Sequence, residues 1–248
     1  EKLIKYLMNE NPDYRKVRIP SSESEQFRLY RSLVNIRPAD EISAEYLAAE
    51  DEYLRQKTAE KGITDIADLS PVEDNICRGD ITTLKCGAIV NAANSGMTGC
   101  YQPCHNCIDN CIHTFAGIRL RLNCSEIMKK QGYPEPTGQA KITPAYNLPC
   151  EYVIHTVGPI VQGNLTAEHC RLLESCYRSC LEIAVQNGID SIAFCCISTG
   201  VFGFPKQEAA EIAVNTVRGF LKSHGIKVIF NVFGSEDYDI YRKILGEN

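Results

Sequence analysis

The stretch "SIAFCCISTGVFGFPKQEAAE", Ser191–Glu211, joins an apolar run, a glycine-containing loop and a segment of helical character. The apolar run is typical of a largely buried strand. Gly200 and Gly203 mark the loop, and Pro205 stands where a helix would begin. A buried strand followed directly by a helix is the building unit of an α/β fold.

The same alternation continues through the chain from about Pro71. The sequence predicts further buried strands over residues 87–94, 151–159 and 227–234. Between the strands it predicts helices, including one continuous helix over 108–130 and another over 166–188. Helix-length segments that join buried strands indicate an α/β sandwich with helices on both faces of the sheet.

Residues 1–70 lack the alternation of strands and helices, and their sequence predicts helices with short connectors. Ser22 and Glu25 have the spacing of a capping box ahead of an apolar helical face. Ser43 is the expected cap of a further helix, which Gly62 would end. We therefore expect an N-terminal helical extension over 1–70, without ligand or catalytic groups, packed on a second unit over 71–248.

Composition excludes several classes of function. The 248 residues are 44% hydrophobic and 23% charged, which is ordinary for a globular protein. A net charge of −5 disfavours nucleic acid as a general partner. The apolar runs are too short to span a bilayer, and the N-terminal residues lack the apolar core of a signal peptide. Thirteen cysteines without an export signal indicate reduced thiols and a cytoplasmic location.

Two glycine-containing loops follow predicted strands, "NAANSGMTG" at 91–99 and "ISTGVFGFP" at 197–205. Glycine allows the close backbone approach by which consecutive N–H groups bind an anion. Ligands of open α/β sheets gather at the carboxyl ends of the strands. The two loops therefore predict a phosphate-bearing ligand. The chain has neither a Walker A loop nor a G-x-G-x-x-G fingerprint, which disfavours ordinary NTPase and Rossmann functions.

Four segments in this order resemble the macrodomain, a module that binds ADP-ribose. They are "RGDIT" (Arg78–Thr82), "AIVNAANS" (Ala88–Ser95), "TGQAKITPAYNLPCEYVIHTVGP" (Thr137–Pro159) and "ISTGVFGFP" (Ile197–Pro205). The resemblance covers nearly everything from residue 75 to 235. It implies a three-layer α/β/α sandwich with a mixed central sheet.

The resemblance also implies which residues bind the ligand. Asp80, followed by Ile81, would bond the adenine amino group, and Phe233 would lie against the adenine ring. Asn94 would hold the distal ribose and act as the catalytic residue. The diphosphate loop would consist of Ser198, Thr199, Gly200, Val201, Phe202 and Gly203. Taken singly, Asp80 could instead cap a helix, Asn94 form a turn and Phe233 belong to the core.

The segment "GCYQPCHNCIDNCIHTFAG" (99–117) stands where ordinary macrodomain hydrolases have a glycine-rich loop. It resembles the bacterial and fungal zinc-containing branch of the family, which also has an N-terminal helical extension. The branch's Cys–x4–His–x–Cys spacing maps onto Cys100, His105 and Cys107 and implies Zn²⁺ as cofactor. Three ligands leave one position open, as in catalytic zinc sites. Cys104 and Cys111 could compete as ligands.

A rival interpretation concerns the same cysteines. Cys100, Cys104 and Cys107 also have the C-x3-C-x2-C spacing that radical-SAM enzymes use for an iron–sulfur cluster. Asn106 replaces the aromatic residue usual before the last cysteine, and the chain has no Gly-Gly pair. The surrounding strands also match a macrodomain better than a barrel. The nine other cysteines are interpreted as small buried apolar residues.

The resemblance implies a zinc-dependent hydrolase that removes mono-ADP-ribose from acidic side chains of modified proteins. It further implies a lipoyl-carrier protein, modified by a sirtuin-like transferase, as the substrate. The alternatives are a non-catalytic ADP-ribose-binding module with structural zinc and an ADP-ribose-1″-phosphatase. Asp109 and His113 lie at helical spacing i, i+4 in this segment and could assist the reaction. The interpretation that we favour is that both are solvated polar residues of a helix.

Overall fold

The computed structural model describes residues 1–69 and 75–246. Three helices open the chain: α1 (Lys2–Glu10), α2 (Glu23–Ile36) and α3 (Ala44–Lys61). Ser22 Oγ accepts the Glu25 N–H and donates to the Glu25 carboxylate, so the predicted start of α2 is confirmed. Ser43 caps α3, and Gly62 ends it with a φ of 86°, as predicted.

A six-stranded mixed sheet forms the centre of the molecule. Its strands are β2 (Ile76–Arg78), β4 (Ala88–Ala93), β5 (Ala140–Pro144), β6 (Tyr152–Val157), β7 (Ser191–Phe194) and β8 (Lys227–Val232). Their order across the sheet is β2-β8-β7-β4-β6-β5, and the paired strands run parallel except β5, which lies antiparallel to β6. Two short strands, β1 (Thr64–Asp65) and β3 (Leu84–Lys85), form a separate pair. The predicted α/β sandwich with a mixed sheet is confirmed.

Five helices follow in the remainder of the described chain. They are α4 (Ile108–Ala116), α5 (Ile118–Gln131), α6 (Ala167–Gln186), α7 (Lys206–Leu221) and α8 (Ser235–Gly246). The prediction of one continuous helix over 108–130 is wrong, because Gly117 separates α4 from α5 with φ 92° and ψ 175°. A side chain at Gly117 would also press on Glu50 and Asn147. Glycine is therefore required at this bend.

The hydrophobic interior consists of two clusters. The larger lies between the sheet and the helices packed on it. The smaller joins α1, α2 and α3 through residues such as Leu7, Tyr30 and Leu54, and it includes Ile118 from the first turn of α5. The N-terminal helices therefore pack on α5. The expected boundary between residues 70 and 71 lies outside the described residues.

The cysteines of the described chain are free thiols. Of the nine outside the 100–111 segment, six are buried, which confirms their interpretation as small apolar residues: Cys86, Cys124, Cys150, Cys176, Cys180 and Cys195. Cys77, Cys170 and Cys196 are only half-buried. Among the described residues, no helix combines the length and the apolar character that crossing a membrane requires.

Candidate functional site

The carboxyl ends of β2, β8, β7 and β4 meet at one edge of the sheet, because these neighbouring strands run parallel. Asp80 follows β2, Phe233 follows β8, and the loop with Gly200 follows β7. Asn94 and the cysteine-containing segment follow β4. The topology thus places the sequence-predicted residues along one edge, as expected for an α/β ligand site.

Cys100, His105 and Cys107 form a compact group in the loop between β4 and α4. Their ligand atoms all lie within 4.8 Å of one another, and Cys100 Sγ is 3.6 Å from His105 Nδ1. Cys107 is the N-cap of α4, where its Sγ accepts the Asn110 N–H at 3.4 Å. The three predicted ligands therefore approach one common point.

The donor set and its spacing fit a zinc ion. Zn–S and Zn–N bonds of about 2.3 and 2.0 Å in a tetrahedron separate sulfur from nitrogen by roughly 3.5 Å. The Cys100–His105 distance of 3.6 Å matches this separation. Burial raises the pKa of Cys107 to about 12, and a cation bound by this group would favour the thiolate form.

Cys104 and Cys111, the two competing thiols, both contact helix α2. Cys104 Sγ donates to the Arg28 carbonyl at 3.3 Å, and Cys111 Sγ lies 3.6 Å from the guanidinium of Arg31. Neither belongs to the compact group. The third member of the compact group is thus His105 and not Cys104, so the C-x3-C-x2-C spacing does not describe it.

Asp80 and Phe233 follow two neighbouring strands, because β2 pairs with β8 and Arg78 lies opposite Val232. Asp80 caps the short 3₁₀ turn at 81–83, where Oδ1 accepts the N–H of Thr82 at 2.9 Å. Its Oδ2 accepts from Lys61 Nζ at 2.6 Å. Burial opposes ionisation of Asp80, but the bonds from Lys61 and Thr82 outweigh it and lower the pKa. The carboxylate is thus kept charged as a hydrogen-bond acceptor.

Phe233 is 81% exposed, so it is not part of the core. Ile81, in contrast, is buried at 2% exposure and belongs to the turn that Asp80 caps. An exposed aromatic ring at the end of a buried strand is available to stack on a ligand. The alternative that Phe233 is a core residue is wrong.

The loop Ser198–Gly203 has a constrained backbone. Ser198 has a φ of 66°, unusual for a residue with a side chain, and Gly203 has a φ of 69°. A Cβ on Gly158 would collide with Ser198 Oγ, so glycine at 158 allows the two loops to meet. Within residues 1–69 and 75–246, the N–H groups of Gly200, Val201 and Phe202 bond to no acceptor. They are available for an anion.

The comparisons with known proteins agree with this geometry. The family model described as Macro domain matches residues 90–213. Protein-ADP-ribose hydrolase from Treponema medium is 57% identical, over 98% of this chain and 96% of the relative. The chain belongs to the macro domain family. Protein-ADP-ribose hydrolase from Staphylococcus aureus (strain MSSA476) is 49% identical, over 98% of this chain and 93% of the relative.

A solved macrodomain structure, that of Trypanosoma brucei in complex with ADP-ribose, has the same fold as this chain. The two superpose with a TM-score of 0.66 at 30% identity, over 92% of this chain and 97% of the other. The resemblance that the four sequence segments predicted is thereby confirmed.

Asn94 of this macrodomain both forms a turn and bonds to the loop that carries Cys100, His105 and Cys107. Its Oδ1 accepts the Gly96 N–H at 2.9 Å, which is the turn-forming role. Its Nδ2 donates to the carbonyl of Gly99 at 3.1 Å. Since Gly99 directly precedes Cys100, Asn94 lies next to the Cys100–His105–Cys107 group.

The expectation that Asp109 and His113 are solvated is wrong. They are only 4% and 5% exposed, because α4 lies between the sheet and helix α2 and has no solvated face for them. Asp109 accepts hydrogen bonds from Asn91 at 2.8 Å and from Asn94 at 3.3 Å. Burial raises the pKa of Asp109 to about 6, although the hydrogen bond from Asn91 acts to lower it. Asp109 thus holds the side chain of Asn94.

A second group, His113, Cys124 and His155, could also bind a metal ion. All three are buried, and their ligand atoms lie within 4.8 Å of one another. Burial lowers the pKa of both histidines, that of His155 to about 3. Both ring nitrogens of His155, however, already pair within the protein, with Asn91 at 3.1 Å and with Thr143 at 2.9 Å. A metal ion here would have to displace one of these bonds.

Proposed function

We propose that this macrodomain is a zinc-dependent hydrolase that removes mono-ADP-ribose from acidic side chains of modified proteins. The observation that carries the proposal is the position of the Cys100–His105–Cys107 group, one residue beyond the carbonyl that Asn94 binds. The relatives named protein-ADP-ribose hydrolase match over nearly the whole chain and support the same activity.

Each part of the ligand has a matching feature along the sheet edge. The Asp80 carboxylate would accept a hydrogen bond from the adenine amino group, next to Ile81, and the exposed Phe233 ring would stack on the base. The N–H groups of the Ser198–Gly203 loop, with the start of α7, would bind the diphosphate. This order leaves the distal ribose next to Asn94.

The reaction would take place at that distal ribose. When bound to Cys100, His105 and Cys107, zinc supplies Lewis acidity there. The Asn94 amide would hold a ribose hydroxyl, and Asp109 would keep that amide in place through its 3.3 Å bond. Orientation of this kind lowers the barrier because the reacting groups need not be ordered in the transition state.

The deciding experiment compares two substrates with and without a zinc chelator. Proteins carrying ADP-ribose on aspartate and on serine are incubated with the purified chain, and released ADP-ribose is measured. We expect release from the aspartate conjugate alone, abolished by the chelator. A lipoyl-carrier protein modified by a sirtuin-like transferase is the proposed natural substrate, and it is tested as a third substrate in the same assay. Binding of ADP-ribose without release would instead indicate a non-catalytic module.

The metal content is a first testable prediction. Purified protein should hold one zinc per monomer, and Cys100→Ser, His105→Ala or Cys107→Ala should each lose it, because three ligands are the minimum of such sites. Elemental analysis of the dialysed protein measures this content. Iron together with inorganic sulfide would contradict the assignment, and zinc retained by all three variants would shift it to the His113–Cys124–His155 group.

A second prediction concerns the adenine contact. Asp80→Ala should weaken ADP-ribose binding by about 1.5–3 kcal/mol, the cost of losing a hydrogen bond to a charged group. Isothermal titration calorimetry measures the affinity. Lys61→Ala is the matched control, because it removes the ion pair of Asp80 but leaves the carboxylate as acceptor. Unchanged affinity in Asp80→Ala would refute the proposed orientation of the ligand.

A further inference from the structure

Helix α2 of the N-terminal region contacts the loop of Cys100, His105 and Cys107 through a partly buried set of polar side chains. Arg31 Nη2 donates to the His105 carbonyl at 2.6 Å and to Asn110 Oδ1 at 3.0 Å. Arg31 Nε lies 3.3 Å from the same Oδ1. The planar guanidinium group holds its N–H donors in a rigid fork, whereas the donors of a lysine ammonium group rotate freely.

Asn110 also bonds to the other two ligand residues, Cys100 and Cys107. Its Nδ2 donates to the carbonyl of Cys100 at 3.3 Å and to that of Gln102 at 2.9 Å. Its backbone N–H lies 3.4 Å from Cys107 Sγ. Asn110 is fully buried. Together, Arg31 and Asn110 therefore bond to a backbone or sulfur atom of each of the three ligand residues.

A neighbouring residue of α2 anchors the middle of the loop. Asn35 Oδ1 accepts the N–H of Cys104 at 2.9 Å, and Asn35 Nδ2 donates to Thr114 at 3.0 Å. Asn35 is 1% exposed, and Cys104 has a φ of 54°. The backbone of the loop is thus fixed from α2 at more than one point.

We propose that Arg31 is a positioning residue for the metal site and acts through Asn110. These side chains hold the ligands in a binding geometry before the ion arrives, so the N-terminal helices are part of the site. Outer-shell partners of this kind change metal affinity by about 10–100-fold. The inference rests on the proposed zinc site of Cys100, His105 and Cys107, and it adds a role that the sequence did not indicate for residues 1–70.

The test measures zinc affinity by competition with a chromogenic chelator in Arg31→Ala, Arg31→Lys and the control Arg28→Ala. Arg28 lies on α2 with an exposed side chain, and only its carbonyl contacts the loop. We expect Arg31→Ala to lose about 10–100-fold in affinity and Arg31→Lys to remain well below wild type. Arg28→Ala should match wild type. The absorption spectrum of the Co²⁺-substituted protein should change in Arg31→Ala, while its circular dichroism and ADP-ribose binding stay unchanged.

Asn110→Asp decides the question if Arg31→Ala fails to fold. It keeps an acceptor for Arg31 but cannot donate to the Cys100 and Gln102 carbonyls, so we expect a similar loss of affinity. Wild-type zinc affinity and Co²⁺ spectrum in a folded Arg31→Ala or Asn110→Asp variant would overturn the inference. Absence of zinc binding in the wild type would instead overturn the proposed metal site.

Discussion

Cys107→Ala should abolish release of ADP-ribose from an aspartate conjugate while leaving the chain folded. The two remaining ligands, Cys100 and His105, stand in one loop and cannot fix a metal ion, so Lewis acidity at the distal ribose is lost. Free ADP-ribose should still bind in part, because Asp80 and the Ser198–Gly203 loop follow other strands than β4. The measurement pairs turnover with calorimetric binding.

The matched control is Cys104→Ser, which alters a thiol of the same loop that contacts the Arg28 carbonyl and lies outside the ligand group. This variant should turn over at the wild-type rate. Asn94→Ala should reduce kcat more than affinity, since its amide is proposed to orient the ribose. Circular dichroism verifies that each variant is folded. A zinc-free, folded Cys107→Ala protein with wild-type turnover would make the zinc structural and the proposed mechanism wrong.

Features that depend on local chemistry could be predicted from the sequence. Four of the six strands of the central sheet, β4, β6, β7 and β8, follow from apolar runs. The caps at Ser22 and Ser43 follow from hydroxyl side chains before helical segments. The ligand group is also local, because Cys100, His105 and Cys107 lie within eight consecutive residues. The resemblance to the zinc-containing branch was still needed to prefer His105 over Cys104 and Cys111 as a ligand.

Features that depend on what packs against an element could not be predicted. Asp109 and His113 look like residues of a solvated helix face, yet α2 covers the side of α4 that a lone sheet would leave exposed. Arg31 is 79 residues from Asn110, and no periodic pattern connects positions so far apart. The break at Gly117 could not be predicted either, because a single glycine inside a helical pattern is often tolerated.

Glu50→Ala should cause the largest loss of stability. Glu50 is fully buried on α3, where Oε1 accepts from Tyr30 at 2.7 Å and from Tyr46 at 3.1 Å. Oε2 accepts the N–H of Ile118, the first residue of α5, at 2.8 Å. Burial raises the pKa of Glu50, and these three donors oppose the shift. One carboxylate thus connects α2, α3 and α5.

Truncation would leave three buried donors without an acceptor, at about 1–3 kcal/mol each. We expect the free energy of unfolding to fall by at least about 3 kcal/mol, which corresponds to a Tm lower by roughly 6–12 °C for a chain of this size. Thermal unfolding followed by circular dichroism measures this. Glu52→Ala, an exposed glutamate on the same helix, is the control and should change little.

Glu50→Gln separates the loss of hydrogen bonding from the loss of volume. Its Oε1 can still accept from both tyrosines, but its amide N–H₂ would face the N–H of Ile118, so one of the three bonds is lost. We therefore expect a stability between those of the wild type and Glu50→Ala. Because α2 also carries Arg31, Glu50→Ala should release zinc at a lower temperature than wild type. A Tm equal to that of Glu52→Ala would show that the N-terminal helices do not depend on this carboxylate for their packing on α5.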